Sequence, residues 1–382
     1  MTTPRKKAAA KAAPASAHVH VPREFCGLPP MEERTFAADV SPGRVRAILA
    51  VANKWVNGTV LNYYFFDQPT DGANVRLANG TTEWRPWTTT EAEKNVVRQA
   101  FQRWRDIGVG LQFREVASRG EAQIRIGFQR GDGAWSYVGR DVLRQGPNDR
   151  TMNFGWSLTS QGLDLDTAIH EIGHTLGLPH EHQNPFAGIV WDEEAVYAAL
   201  AQPPNRWDRA KTFHNIIRKL PPDSVQGSQW DPDSVMHYPF EPGLIREPAQ
   251  FRLRGIQPAG GLSARDREWI RTFYPPLQPA DETELKLMES VPLALEPGGQ
   301  KNFVFRPTRT RRYTFRTFGA SDTVMVLFEE ENGQLRQIAA DDDSGESFNA
   351  SLEQRLRKGR KFILRVRLYY AEVAGETALM VW

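Results

Sequence analysis

Four of the chain's eight histidines fall within thirteen residues, His170-Glu171-Ile-Gly-His174-Thr-Leu-Gly177-Leu-Pro-His180-Glu181-His182. Histidine is neither common nor a good core residue, so the clustering asks for a chemical reason. On an α-helix four residues advance the chain by about 400°, which stacks His170 and His174 on one face. Two imidazoles so placed can share a metal ion, and Zn2+ suits nitrogen ligands. Glu171 falls one residue round from His170, near such a metal but not bound to it. That is where a general base for a metal-activated water belongs.

A third ligand tests the idea. In a continuing helix His180 would stand about 600° past His174, on the wrong face. Gly177 is placed to end the helix, because glycine enters a left-handed C-cap without a side-chain penalty. Pro179 then prevents a restart, and the chain can return to offer His180 to the same metal. His182 is the competitor, but spacing favours His180 and makes His182 a residue of the cleft wall. Three neutral imidazoles leave Zn2+ its full charge and an open position for water, whose pKa falls from about 15.7 towards 7. Glu171 would take that proton and pass it to a leaving amine. The full pattern H-E-x-x-H-x-x-G-x-x-H is far more specific than H-E-x-x-H alone.

These residues need a helix and a platform. Asp164 or Asp166 can cap a helix whose apolar face is Ala168, Ile169, Ile172 and Leu176. Upstream, 59–66 is β-branched and aromatic and reads as a strand. Thr90 and Glu93 form a capping box ahead of Val97, Phe101 and Trp104, predicting an amphipathic helix over 91–106. Residues 111–116 and 123–128 alternate like half-buried strands, and 151–156 reads as a short one. This order predicts a mixed sheet with helices packed on it. After a proline-rich stretch at 275–279 the pattern changes to short strands (302–306, 312–318, 323–330 and 361–370), with a hairpin signal at Asn332-Gly333. That predicts a β-sandwich. The expected division is a basic disordered tail and propeptide (1–40), a catalytic domain (41–276), a linker (277–284) and a sandwich domain (285–382).

Composition bounds the rest. The 382 residues carry 48 Lys and Arg against 46 Asp and Glu, a net +2 that argues against a nucleic-acid partner. The single cysteine, Cys26, excludes an intrachain disulfide and Cys-rich zinc or iron–sulfur sites. The longest aliphatic stretch, Ala47–Ala52, is far short of the roughly 20 residues of a membrane span. Residues 1–23 hold five basic residues and no acid, but no apolar core of a secretory signal peptide. A monomer is the default expectation.

A second motif, Ser234-Val-Met236-His-Tyr238, follows His180 by 56 residues to Met236. With it the chain resembles the metzincin zinc metallopeptidases, and the S-x-M-H-Y form and Glu181 after the third histidine resemble the astacin branch. The resemblance covers residues 45–276; residues 131–139, 230–239 and 261–270 look most like bacterial or fungal members. It implies an α+β zincin-like catalytic domain, one catalytic Zn2+ on His170, His174 and His180, and Met236 as an apolar floor beneath them. It also implies Tyr238 as a labile extra ligand whose phenol swings to bond the oxyanion. The implied activity is endopeptidase action on protein or peptide substrates bound as an added strand, along an edge near 135–138 or 152–156. The weaker alternative is a non-catalytic zinc-organised binding module. The chain departs from animal astacins in lacking their disulfides and in reading Gln-Asn-Pro-Phe after His182.

Residues 281–382 resemble the bacterial pre-peptidase C-terminal domain, which implies a protein acting outside the cell. Its acidic run at 341–345 offers oxygen ligands for Ca2+, although a solvated turn is the plainer expectation. Finally, the segment from Val21 to Pro30 around Cys26 loosely resembles the cysteine switch of matrixin propeptides. That likeness implies a latent form with the Cys26 thiolate on zinc.

Overall fold

The structure is a computed structural model, and it describes residues 25–31, 54–55, 58–77, 79–160, 164–221, 230–276, 283–331, 333–342, 344–346, 348–370 and 373–382. The expectations placed on the basic tail, on Ala47–Ala52, on the linker at 277–282 and on Asn332 lie outside the described residues.

The N-terminal part is built on strands β1 (Val60–Phe65), β2 (Gly72–Arg76), β3 (Thr82–Pro86), β4 (Gln112–Glu115), β5 (Ile124–Gly127), β6 (Trp135–Ser136) and β7 (Met152–Asn153). Helices α1 (Glu91–Arg105) and α2 (Asp164–Thr175) pack together on it. The main sheet runs β4-β1-β5-β7-β6, parallel except for β6, which pairs antiparallel with β7; β2 and β3 form a separate hairpin.

The two-residue period of β1 explains its placement. Leu61, Tyr63 and Phe65 face α1, where Tyr63 stacks on Phe101 at 4.2 Å, while Tyr64 and Phe66 pack on the other side with Trp87. The α1 stripe of Val97, Phe101 and Trp104 is buried, at about 1.5–3 kcal/mol for each fully buried large apolar side chain. Trp104 also donates its indole N–H to the Ile169 carbonyl at 3.0 Å, tying α1 to α2. Thr90 caps α1, but Glu93 turns away from the reciprocal bond to accept from Leu158 N at 2.9 Å and to pair with Arg130.

The strand expected over 151–156 is only Met152–Asn153. Beyond it Gly155 meets the backbone of Gly133 so closely that an added Cβ would stand 2.4 Å from the Gly133 nitrogen, and the chain leaves the sheet.

The C-terminal part, from Thr283 on, is an all-β sandwich, as expected. Strands β8 (Val190–Trp191) and β9 (Ile245–Glu247) pair within the part that precedes it. Then β10 (Thr283–Glu284), β12 (Gln300–Phe305), β14 (Thr323–Glu331), β15 (Gln334–Asp341) and β17 (Lys361–Leu368) make one sheet. Strands β11 (Val291–Leu295), β13 (Arg311–Phe318), β16 (Ser351–Leu356) and β18 (Gly375–Val381) make the other. Phe303, Phe305, Phe315, Leu327 and Leu364 fill the space between them. The hairpin joins β14 to β15 with Glu331 opposite Gln334 and Gly333 at φ 74°. No helix among the described residues is long and apolar enough to cross a membrane.

Candidate metal centre and its cleft

Helix α2 presents His170 and His174 on one buried face. Gly177 takes φ +93° and ends the helix: its N–H donates to the His174 carbonyl at 2.8 Å, and Leu178 N–H donates to Gly173 at 3.0 Å. Those two bonds are the pair that closes a glycine-capped helix. The reversal brings His180 back, so that His174 Nε2 lies 3.1 Å from both His170 Nε2 and His180 Nε2.

The orientation of the rings identifies the donor atoms. His170 Nδ1 donates to the Val235 carbonyl and His174 Nδ1 to the Leu178 carbonyl, each at 2.7 Å, which leaves both Nε2 atoms as lone-pair donors. Burial holds His170 down to about 4 and pushes His174 and His180 down as well, so all three are neutral. Lone pairs facing one another in a buried site repel unless a cation lies between them. Three nitrogens about 2.0–2.1 Å from a tetrahedral Zn2+ would stand about 3.3 Å apart, close to the spacing seen. The residues present fit zinc.

Cys26 completes the group. Its Sγ and the three histidine nitrogens all lie within 4.8 Å of one another, the only such cluster among the described residues. The thiol donates to Glu171 Oε2 at 3.4 Å, and burial together with the Glu171 charge pushes its pKa up. A bound dication inverts that preference, since a coordinating thiol is deprotonated. Glu171 is fully buried and burial pushes its carboxyl up to about 8; Oε1 has no protein partner. The Tyr238 hydroxyl sits against His180 Nε2 and donates to the Cys26 carbonyl at 2.5 Å. Residues 25–28 are held by backbone bonds on both flanks: Phe25 N–H to Asn205 Oδ1 at 2.8 Å, Gly27 N–H to the Ala134 carbonyl at 3.1 Å, and Leu28 N–H to Asn215 Oδ1 at 2.9 Å. Of the two candidate edges, β6 is the outer strand and β7 is internal.

Met236 is buried in the core with Ile169 and Ile172 of α2. A Cβ on Gly173 would come 2.4 Å from its sulfur, so the helix can pass over the Met-turn only with glycine there. Asp266 holds the turn, accepting from Ser234 Oγ at 2.6 Å and from Val235 N–H at 2.9 Å. It stands at the start of helix α3 (Ala264–Phe273), where Ser263 and Asp266 form a capping box. Glu181 accepts from Asn184 Nδ2 at 3.2 Å and Asp231 N–H at 2.9 Å, tying the third ligand to the same turn; burial pushes it up to about 7. His182 is buried, bonds the Asn215 carbonyl at 2.9 Å and packs on Tyr238 and Phe240.

Gly173→Ala is expected to destabilise. Alanine would ordinarily favour a helix interior by about 1 kcal/mol; here the clash with Met236 costs about 1–3 kcal/mol. A lower Tm and reduced zinc content would show it, and an unchanged Tm would refute the contact.

Gly173, Asp266, Asn205 and Asn215 escaped the sequence reading. Only the capping pattern Ser263-x-x-Asp266 carried a signal, and it marks a helix start rather than a support for the Met-turn. The calcium expectation is not supported: Asp341 spends its carboxylate on Ser344 and Ser351 N–H groups at 3.0 and 2.7 Å, the solvated-turn alternative.

Comparison with known proteins bears on the same residues. A family model described as Astacin (Peptidase family M12A) matches residues 83–242. Karilysin of Tannerella forsythia is 30% identical over 199 residues, covering 43% of this chain and 38% of karilysin. The chain thus spans under two fifths of that relative's length. The solved structure of myroilysin is similar at 31% identity, with a TM-score of 0.50, over 60% of this chain and 98% of that one. A pre-peptidase C-terminal domain of a collagenase from Bacillus anthracis aligns with 28% of this chain and 99% of its own at 17% identity and a TM-score of 0.24.

Proposed function

The chain belongs to the astacin family of peptidases, and from that premise we propose that it is a zinc-dependent endopeptidase held latent by its own N-terminal segment. The observation that carries the reading is the buried convergence of His170, His174, His180 and Cys26, with Glu171 beside them. On this reading 1–40 is the propeptide, 41–276 the catalytic domain and 285–382 an appended sandwich.

When bound, zinc would acidify a water and polarise the substrate carbonyl. His170, His174 and His180 would hold the ion, and the backbone-bonded Nδ1 atoms of His170 and His174 keep those two rings aimed. Glu171 accepts the water's proton on an oxygen that has no other partner, and then returns it to the leaving amine. Tyr238 donates to the oxygen on which charge develops. Substrate backbone lies along β6, next to which Gly27 now donates to the carbonyl of Ala134. In the latent chain the Cys26 sulfur would bind the ion in place of water, and its carbonyl occupies the Tyr238 hydroxyl. One segment therefore blocks both the water and the oxyanion donor.

Casein hydrolysis with and without a chelator tests the activity. The full chain is expected to be slow and its Cys26→Ser variant faster, by about 100-fold if the thiolate's hold is worth about 2.7 kcal/mol. Full activity in the intact chain with a rapidly titrating thiol would refute latency, and chelator-insensitive cleavage would refute the metal.

A further inference from the structure

Phe25 occupies an aromatic pocket, one wall of which is the ring of Tyr238. Its ring meets Tyr238 edge-on at 4.9 Å, stacks near Phe240 at 5.7 Å and tilts over Trp207 at 6.3 Å. The three walls are themselves buried, and they belong to a packed cluster that includes Trp191, Ile216 and Ile217. The next residue, Cys26, places its sulfur among the metal ligands, so the pocket begins one residue from the point where a peptide's reacting carbonyl must lie.

The contacts of this segment divide by what they can read. Asn205, Ala134 and Asn215 bond the N–H groups of Phe25, Gly27 and Leu28. Such bonds accept any extended backbone and carry no side-chain preference. The aromatic wall is selective, because rings prefer edge-to-face and offset partners and gain beyond their area.

We propose that the Phe25 pocket is the substrate specificity pocket, so that the enzyme cleaves peptide bonds adjacent to Phe, Tyr or Trp. This deepens the peptidase reading and rests on it; the propeptide serves as the template of the preferred substrate, with Phe25 where the selected side chain goes.

The test uses the full-length Cys26→Ser chain on casein, with the cleaved bonds mapped by mass spectrometry. Aromatic residues next to the cut should be enriched about 10–100-fold over Gly or Ala, the discrimination an apolar pocket can give. Trp207→Ala should flatten that preference, and Trp207→Leu, which keeps an apolar wall but not the ring, should shift it towards aliphatic residues. A readout independent of turnover is the rate at which a thiol reagent labels Cys26 in the otherwise unaltered chain. Phe25→Ala should raise it at least about tenfold, and Phe25→Trp should restore slow labelling. Casein cut without aromatic enrichment, enrichment that survives both Trp207 variants, or labelling indifferent to Phe25 would each overturn the pocket while leaving the peptidase standing. No metal-dependent cleavage by the Cys26→Ser chain would overturn the peptidase reading beneath it.

Discussion

Glu171→Gln, made in the Cys26→Ser chain, is expected to lower kcat about 10²–10⁴-fold while zinc content stays at that of the parent. The substitution is nearly isosteric and breaks little. Oε1 has no protein partner, and the one side-chain bond recorded to Oε2 is from Cys26, which the background already removes. What changes is that an amide cannot take a proton. The three histidines are oriented by Val235 and Leu178 and by the turn at Gly177, none of which touches the Glu171 carboxylate. Metal binding and base function therefore separate cleanly in this variant. Equal activity at equal zinc would remove Glu171 from the mechanism.

The ligand set was legible because each step in its geometry leaves a residue-type mark. Helical stacking demands two histidines four apart, the reversal demands a glycine, and the exit demands a residue that cannot continue a helix. Gly177 at φ +93° is that demand met. The alternating strands were legible for a similar reason: Leu61, Tyr63 and Phe65 must face α1, and a slip of one residue would expose all three. What escaped were supports made by single contacts between distant segments. Gly173 is required by the sulfur of Met236, 63 positions away, and nothing within α2 announces it. Asn205 and Asn215 act through amide oxygens on loop and helix ends, where asparagine has many ordinary uses. The sandwich was underread because β15, β16 and β18 carry polar residues on their outer faces and lack the apolar runs of β14 and β17.

Tyr238→Phe is the second large effect, and the structure dictates how it must be measured. In the intact chain the Tyr238 hydroxyl is committed to the Cys26 carbonyl, and burial pushes its pKa well above the usual phenol value, so it is a donor at neutral pH. Removing it from the full-length chain would loosen the inhibitory segment and weaken turnover together, and the two changes oppose each other in an activity assay. In the Cys26→Ser chain, loss of turnover dominates. There kcat is expected to fall about 10²–10³-fold, the effect of one oxyanion donor worth about 2.7–4 kcal/mol. KM should change little, because the charge that the phenol meets exists only near the transition state. The fold should survive: Phe keeps the ring against His180, His182 and Phe25, and one hydrogen bond is worth only about 0.5–1.5 kcal/mol. A raised KM with unchanged kcat would make Tyr238 a ground-state contact. Rapid Cys26 labelling in the full-length Tyr238→Phe chain would show independently that the hydroxyl also fastens the segment, so the group that serves the reaction is the one the latent state takes out of use.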